Sequence, residues 1–277
     1  MMKFNILKVF LTVIIAISIA LIAVNCKKDK KKDATPPTLP PPSSMVMDYS
    51  DFSSSSIKNL NNSDSVTSKN HDWAAVNVGF WNLILTITFA VPVASFYESF
   101  NHQCVQESDN LWSWTYSFVT QNITYTARLT AMYIQNNQQV QWDMYITKDK
   151  VYTNFHWYTG FSAISGLEGG WTLNESPSNP NPFIGIDWHR NTTTGASDIK
   201  YTNVVPNGTE NGGYIYYAVT PGNSLDANYD IYNKGQNNLI NIEWNRTSKN
   251  GHIKDAKHFL DSNWHCWDSI FADCTCP

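Results

Sequence analysis

From residue 111 to residue 246 the chain repeatedly sets aromatic and aliphatic side chains at every second position, with Thr, Asn, Gln or Asp between them. Trp112, Trp114, Tyr116 and Phe118 form one such row, and Val140, Trp142, Met144 and Ile146 another. Ile184, Ile186, Trp188 and Arg190 repeat the arrangement, and Ile240, Ile242, Trp244 and Arg246 repeat it again. Period two is the alternation of a half-buried strand. The pattern predicts about ten strands, near 111–119, 122–134, 138–147, 152–161, 169–174, 183–190, 197–205, 212–219, 227–232 and 238–246. Turn signals such as Gly169-Gly170, Asn207-Gly208, Pro221-Gly222 and Lys234-Gly235 punctuate them. Connections this short, with no helical crossover, pair neighbouring strands antiparallel. The expected fold is therefore mainly β, an antiparallel up-and-down meander or a lipocalin-like barrel. A weaker alternation over 45–52 reads as a preceding strand, and 253–261 as a short helix or a last strand.

Ahead of the meander the period changes. Residues 73–97 contain no charged side chain. Trp73, Val76, Phe80, Ile84, Ile87 and Val91 recur at helical spacing, and Ala75, Val78, Leu83 and Phe89 fill the opposite side. This predicts a helix near 72–101, with Asn70 or Asp72 as N-cap and Pro92 as a break or kink. A helix apolar on nearly all sides is either buried or in a membrane. Asn77, Asn82, Thr86, Thr88 and Pro92 favour the buried reading, with the helix packed on or in the Trp-bearing face of the meander. The β propensity of 83–89 leaves a buried strand pair as the alternative.

The first residues follow neither period. A short basic start precedes an almost uninterrupted aliphatic run over 9–24, which ends at Asn25-Cys26. This resembles the signal peptide of bacterial lipoproteins, in which such a run precedes a Cys that is lipidated and becomes the new N-terminus. The resemblance implies removal of 1–25, acylation (palmitate) at Cys26, and attachment to the outer membrane, facing the cell surface or the periplasm. Asn before the Cys departs from the small residue usual there. Lys-rich and Pro-rich tracts over 26–44 read as an extended linker, and 45–277 as one β-rich domain. That part is similar in overall style to lipoproteins of Gram-negative bacteria, a resemblance that implies no activity.

Composition sharpens two points. Residues 1–33 hold seven Lys and two acids, leaving 12 basic and 21 acidic residues in the rest, which argues against a nucleic-acid footprint. Aromatic residues make up 14% of the chain, with 11 Trp, so there is much apolar surface to bury.

Apart from Cys26 there are four cysteines, Cys104, Cys266, Cys274 and Cys276. In an exported chain these are disulfide candidates, and Cys274 and Cys276 are too close to pair with each other. The alternative, a metal site of His265, Cys266, Cys274 and Cys276, fits no zinc-finger spacing closely. Asp143, Asp187 and Glu243 stand at matching strand positions, as the two carboxylates of a glycosidase would require, but alternation places them opposite the Trp rows. His156 and His189 accompany no recognisable nucleophile, and no phosphate loop or zinc-helix motif occurs. No catalytic residue, metal or cofactor is expected. Trp112, Trp114, Trp142, Trp157, Trp188 and Trp244 should point inward, either as plain core or as the lining of a cavity for an apolar ligand or lipid. A non-enzymatic binding lipoprotein is the leading expectation. The alternative is a surface module for glycan or protein, using Tyr158, Tyr217 and Tyr232.

Overall fold

A computed structural model describes residues 35–52, 68–134, 136 and 138–277. Cys26, the aliphatic run before it and the Lys-rich tract lie outside the described residues. One long helix, α1 (Lys69–Ser99), is followed by a single antiparallel sheet whose spatial order is the chain order. Its strands are β1 (Val105–Ser108), β2 (Leu111–Thr120), β3 (Ile123–Ile134), β4 (Gln139–Lys148), β5 (Tyr152–Ala163), β6 (Glu168–Ser176) and β7 (Asn179–Arg190). The sheet continues through β8 (Ser197–Asn203), β9 (Tyr214–Val219), β10 (Ala227–Asn233), β11 (Asn238–Trp244), β12 (Gly251–Asp255), β13 (His265–Trp267) and β14 (Asp273–Cys274). A four-residue helix, α2 (Ala256–Phe259), links β12 to β13.

All ten predicted strands are present. Fourteen strands form rather than ten, because β1, β12, β13 and β14 are short and carry little alternation. The hydrogen-bond ladder ends at β1 and β14, so the sheet is open and not a closed lipocalin-like barrel. The helix bridges its two ends: α1 contacts β2 and β3 on one side and β12, β13 and β14 on the other.

The inward rows read from the sequence are buried as a continuous core, from Trp112 and Trp142 through Ile186 and Trp188 to Ile242 and Trp244. Two further segments occupy the inner face. Residues 45–52 are not a strand: they follow one 3₁₀ turn (Pro42–Ser44) and end in another (Ser50–Phe52), with Met45, Met47 and Phe52 buried. The Tyr201 hydroxyl accepts from the Met47 amide at 2.7 Å and donates to the Met45 carbonyl at 2.9 Å. Tyr229 donates to the Asp48 carbonyl, and the Trp244 indole to Asp51 at 2.9 Å. Met45 and Met47 keep the alternation of an extended chain, but their backbone bonds to the Tyr201 hydroxyl rather than to a neighbouring strand, and the turn at Ser50–Phe52 aims Phe52 inward. The Pro-rich tract packs as well, since Pro37 and Pro40 are buried and Tyr133 donates to the Thr35 carbonyl at 3.2 Å.

The N-cap of α1 is Ser68, not Asn70 or Asp72, and Ser68 makes no side-chain cap bond. Asp273 of β14 serves instead, accepting from the Asn70 amide at 2.9 Å and the Lys69 amide at 3.3 Å. A carboxylate at this end also complements the helix dipole. Helix assignment continues through Pro92 to Ser99, a run of 31 residues or about 46 Å.

The two similar segments around Trp188 and Trp244 close with the same turn. Asn191 Oδ1 accepts from the Thr193 and Thr194 amides, and Asn245 Oδ1 from the Thr247 and Ser248 amides. The match fails at the arginines: Arg190 ends β7, whereas Arg246 lies inside the loop after β11.

Candidate functional site

The sheet covers only one side of α1. His71, Ala74, Ala75, Val78, Leu85, Phe89, Pro92, Ser95, Phe96 and Ser99 face it and are buried. Because the apolar residues are spread round the helix axis, the other side is apolar too, and there Val76, Phe80, Leu83 and Ile87 are 56%, 62%, 59% and 67% exposed. Their spacing makes them one ridge along the helix. The helix has the length and apolarity of a membrane-spanning segment, yet its inner side is committed to the sheet.

A groove runs along each flank of the ridge. The larger, of about 510 Å³, lies between α1 (Val76, Phe80, Trp81, Ile84) and the edge formed by Phe183 and Ile184 of β7 with Ile231 and Tyr232 of β10. Asn203, Glu210 and Gln236 add polar groups at its margin. The second, of about 410 Å³, is floored by Met45, Met47, Leu85, Phe89 and Tyr201. Both fall within the ~300–1,000 Å³ range of small-molecule sites. Burial pushes the Tyr201 hydroxyl well above the ordinary tyrosine range, so it stays a neutral donor and acceptor.

The expected lining residues lie elsewhere. Trp112, Trp114 and Trp142 are core, with the Trp114 and Trp142 rings 5.9 Å apart. Trp157 sits at an irregularity of register between β4 and β5 and packs against Tyr152 and Phe155. Trp244 packs against Phe52, Tyr217 and Tyr229. None of these five lines either groove, and Trp188 borders a smaller pocket at the rim of the sheet. Tyr158 and Tyr217, expected as exposed platform residues, are buried, and of that trio only Tyr232 reaches a groove. The register irregularity at Met144 explains Tyr158: it shifts the pleat, so the residue after Trp157 turns inward.

The ridge was missed because its residues were expected to be buried against the meander. The available signal was the helix's lack of a polar side, which one sheet face cannot cover.

No family model, curated protein or solved structure matches the chain.

The other candidate chemistry disperses over the outer face. Asp143 pairs with His156 at 2.9 Å and Glu243 with His252 at 3.0 Å, each across neighbouring strands, and Asp187 is exposed. His189 bonds Asp198 at 2.9 Å, which raises its pKa. Asp143 and Glu243 face His partners rather than one another, as a two-carboxylate site would need. Among the described residues no group of three His, Cys, Asp or Glu side chains could hold a metal. Cys266 is bonded to Cys276, Cys274 is an exposed free thiol, and Cys104 is buried just before β1.

Proposed function

We propose that this protein is an exported lipoprotein, acylated at Cys26 and held at the outer membrane, that binds an apolar ligand such as a lipid acyl chain without catalysing a reaction. The ligand is placed along α1, not inside the sheet. One observation carries this reading: beside the exposed ridge of Val76, Phe80, Leu83 and Ile87 runs a groove in which Val76 and Phe80 meet apolar walls from Phe183, Ile184 and Ile231. Covering one such side chain is worth about 1.5–3 kcal/mol, so four contiguous ones supply a substantial driving force. The Cys266–Cys276 bond fits an oxidising compartment.

Because Phe80 is mostly exposed, a polar residue there leaves the core intact. A chain beginning at residue 35, which carries neither the aliphatic run nor Cys26, is purified without detergent and examined by native mass spectrometry with lipid extraction, beside the same chain with Phe80→Asp. An acyl-chain mass on the unsubstituted chain that is lost from the variant, with an unchanged melting temperature, is the expected result. A bare polypeptide mass in both overturns the reading. Export and acylation are tested separately: labelled palmitate enters the natural chain but not Cys26→Ser.

A further inference from the structure

The inner face of the sheet ends at the loop side of β7–β11. Its last row is Arg190, Ser197, Val219, Ala227 and Trp244, each paired across from the next, and the row before it is Trp188, Ile199, Tyr217, Tyr229 and Ile242. Arg190 continues the inward alternation of Ile184, Ile186 and Trp188, where the deeper positions are all apolar. Its exposed guanidinium makes no ion pair and no hydrogen bond among the described residues.

Between this rim and the turn at 43–48 is a pocket of about 210 Å³, lined among others by Asp48, Trp188, Arg190, Asp198, Tyr217 and Arg246. Trp188 is 1% exposed, and its indole N–H has no acceptor. The Tyr217 hydroxyl has no hydrogen-bond partner among the described residues. Leaving the buried indole N–H unpaired is costly. Arg246 is held by Asp226, which accepts from its Nε at 3.0 Å and its Nη2 at 2.9 Å and leaves Nη1 over. Asp198 spends one carboxylate oxygen on His189, and Asp48 one on the Ser50 amide.

The pocket thus offers two cationic side chains, Arg246 held by Asp226 and Arg190 exposed, carboxylate acceptors with a free oxygen each, and the unpaired Trp188 N–H, around a space the size of one small ring. A bare anion suits it poorly, because Asp48, Asp198 and Asp226 stand beside the two arginines and oppose a further negative charge. A neutral polyol suits it well, since each hydroxyl both accepts and donates and so can meet guanidinium donors and carboxylate acceptors together. We propose that this rim pocket binds a single neutral sugar ring, free or at the end of a glycan. It shares no residue with the groove at Phe80, so the proposal stands apart from the apolar-ligand reading.

The test is saturation-transfer NMR on the full chain with the methyl glycosides of glucose, galactose, mannose and N-acetylglucosamine, and with glucuronate and sulfate as anionic probes. At least one neutral glycoside should receive saturation at millimolar concentration. Arg190→Ala, a substitution at an exposed and unpaired side chain, should weaken that binding by about tenfold or more without shifting the melting temperature. Phe80→Asp should leave it unchanged. The proposal is overturned if no neutral glycoside binds, if only the anions bind, or if Arg190→Ala binds as well as the natural chain.

Discussion

Glycine and tryptophan are coupled across this sheet. Gly160 stands opposite both Trp142 and Trp171, Gly169 opposite Trp188, and Gly251 opposite both Trp244 and Trp267. A Cβ on Gly160 would come within 2.3 Å of the Gly170 carbonyl and of the Trp171 ring, and one on Gly169 within 2.2 Å of the Phe161 carbonyl and 2.4 Å of the Trp188 ring. Backbone oxygens cannot withdraw as a flexible side chain would, so the indole rings lie over the strands only where the neighbour has no side chain. Gly160→Ala and Gly169→Ala should each cost at least about 2 kcal/mol in denaturant unfolding, whereas Gly79→Ala, inside α1 where the added Cβ would meet nothing, should be neutral or stabilising by up to about 1 kcal/mol. Read along the chain, Gly169-Gly170 is a turn signal; its place inside β6 depends on a Trp nineteen residues later, which no local pattern reveals. His71 is a second buried surprise, stacked between Phe52 and Phe271 at the start of α1. Burial lowers its pKa against a smaller opposing pull from Asp72. The unfolded chain therefore takes up a proton near pH 6.5 that the folded chain refuses, and this contribution to stability is lost as pH falls through that value. His189 acts with the opposite sign, because its bond to Asp198 raises its pKa and stabilises the folded chain most at acidic pH. Between about pH 7.5 and 5.5 the loss of melting temperature should shrink in His71→Phe and grow in His189→Gln.

The elements were legible where one period ran for ten residues or so, and illegible where the chain was short or tertiary contact decided. β2 through β11 follow their alternation to within a few residues, because each has one face on the core and one in water. β13 and β14, of three and two residues, exist because β12 offers an edge and Asp273 must reach the first turn of α1. The helix itself was legible but not its exposure. Its inner side shows how the two sides differ energetically: Phe96 is fully buried edge-on to Trp171 at 5.5 Å, while Phe80 stands in solvent. Phe96→Ala should cost about 3–5 kcal/mol, whereas Phe80→Ser should change unfolding free energy by no more than about 0.5 kcal/mol. Equal effects at the two positions would mean that the ridge is covered within the free protein.

At the scale of the whole molecule, an open sheet must cover an inner face too wide for one helix. Here the cover is shared between α1 and the stretch 35–52, which lies before the helix in sequence and reaches far into the sheet, to Tyr201, Tyr229 and Trp244. The sequence pattern at 35–44, rich in Pro and lacking periodicity, gives a reader only an extended tether, since polyproline conformation is the same whether solvated or packed. Buried Pro37 and Pro40 make it part of the domain. Met45, Met47 and Phe52 are buried to 5% exposure or less, and at about 1.5–3 kcal/mol each their burial alone approaches the ~5–15 kcal/mol by which a domain is stable. That sum is an upper bound, because an unfolded chain already hides part of its apolar surface. The hydrogen bonds act in the same direction: without the segment, the hydroxyl of Tyr201, itself 2% exposed, loses both of its partners. A chain beginning at residue 35 should therefore melt cooperatively. One beginning at residue 53 should lose the sharp transition and bind an apolar dye such as ANS, because the Trp-lined inner face is then open to water. If both shortened chains melted alike, α1 alone would suffice to cover the sheet, and the segment 35–52 would be an addition to a fold already complete without it.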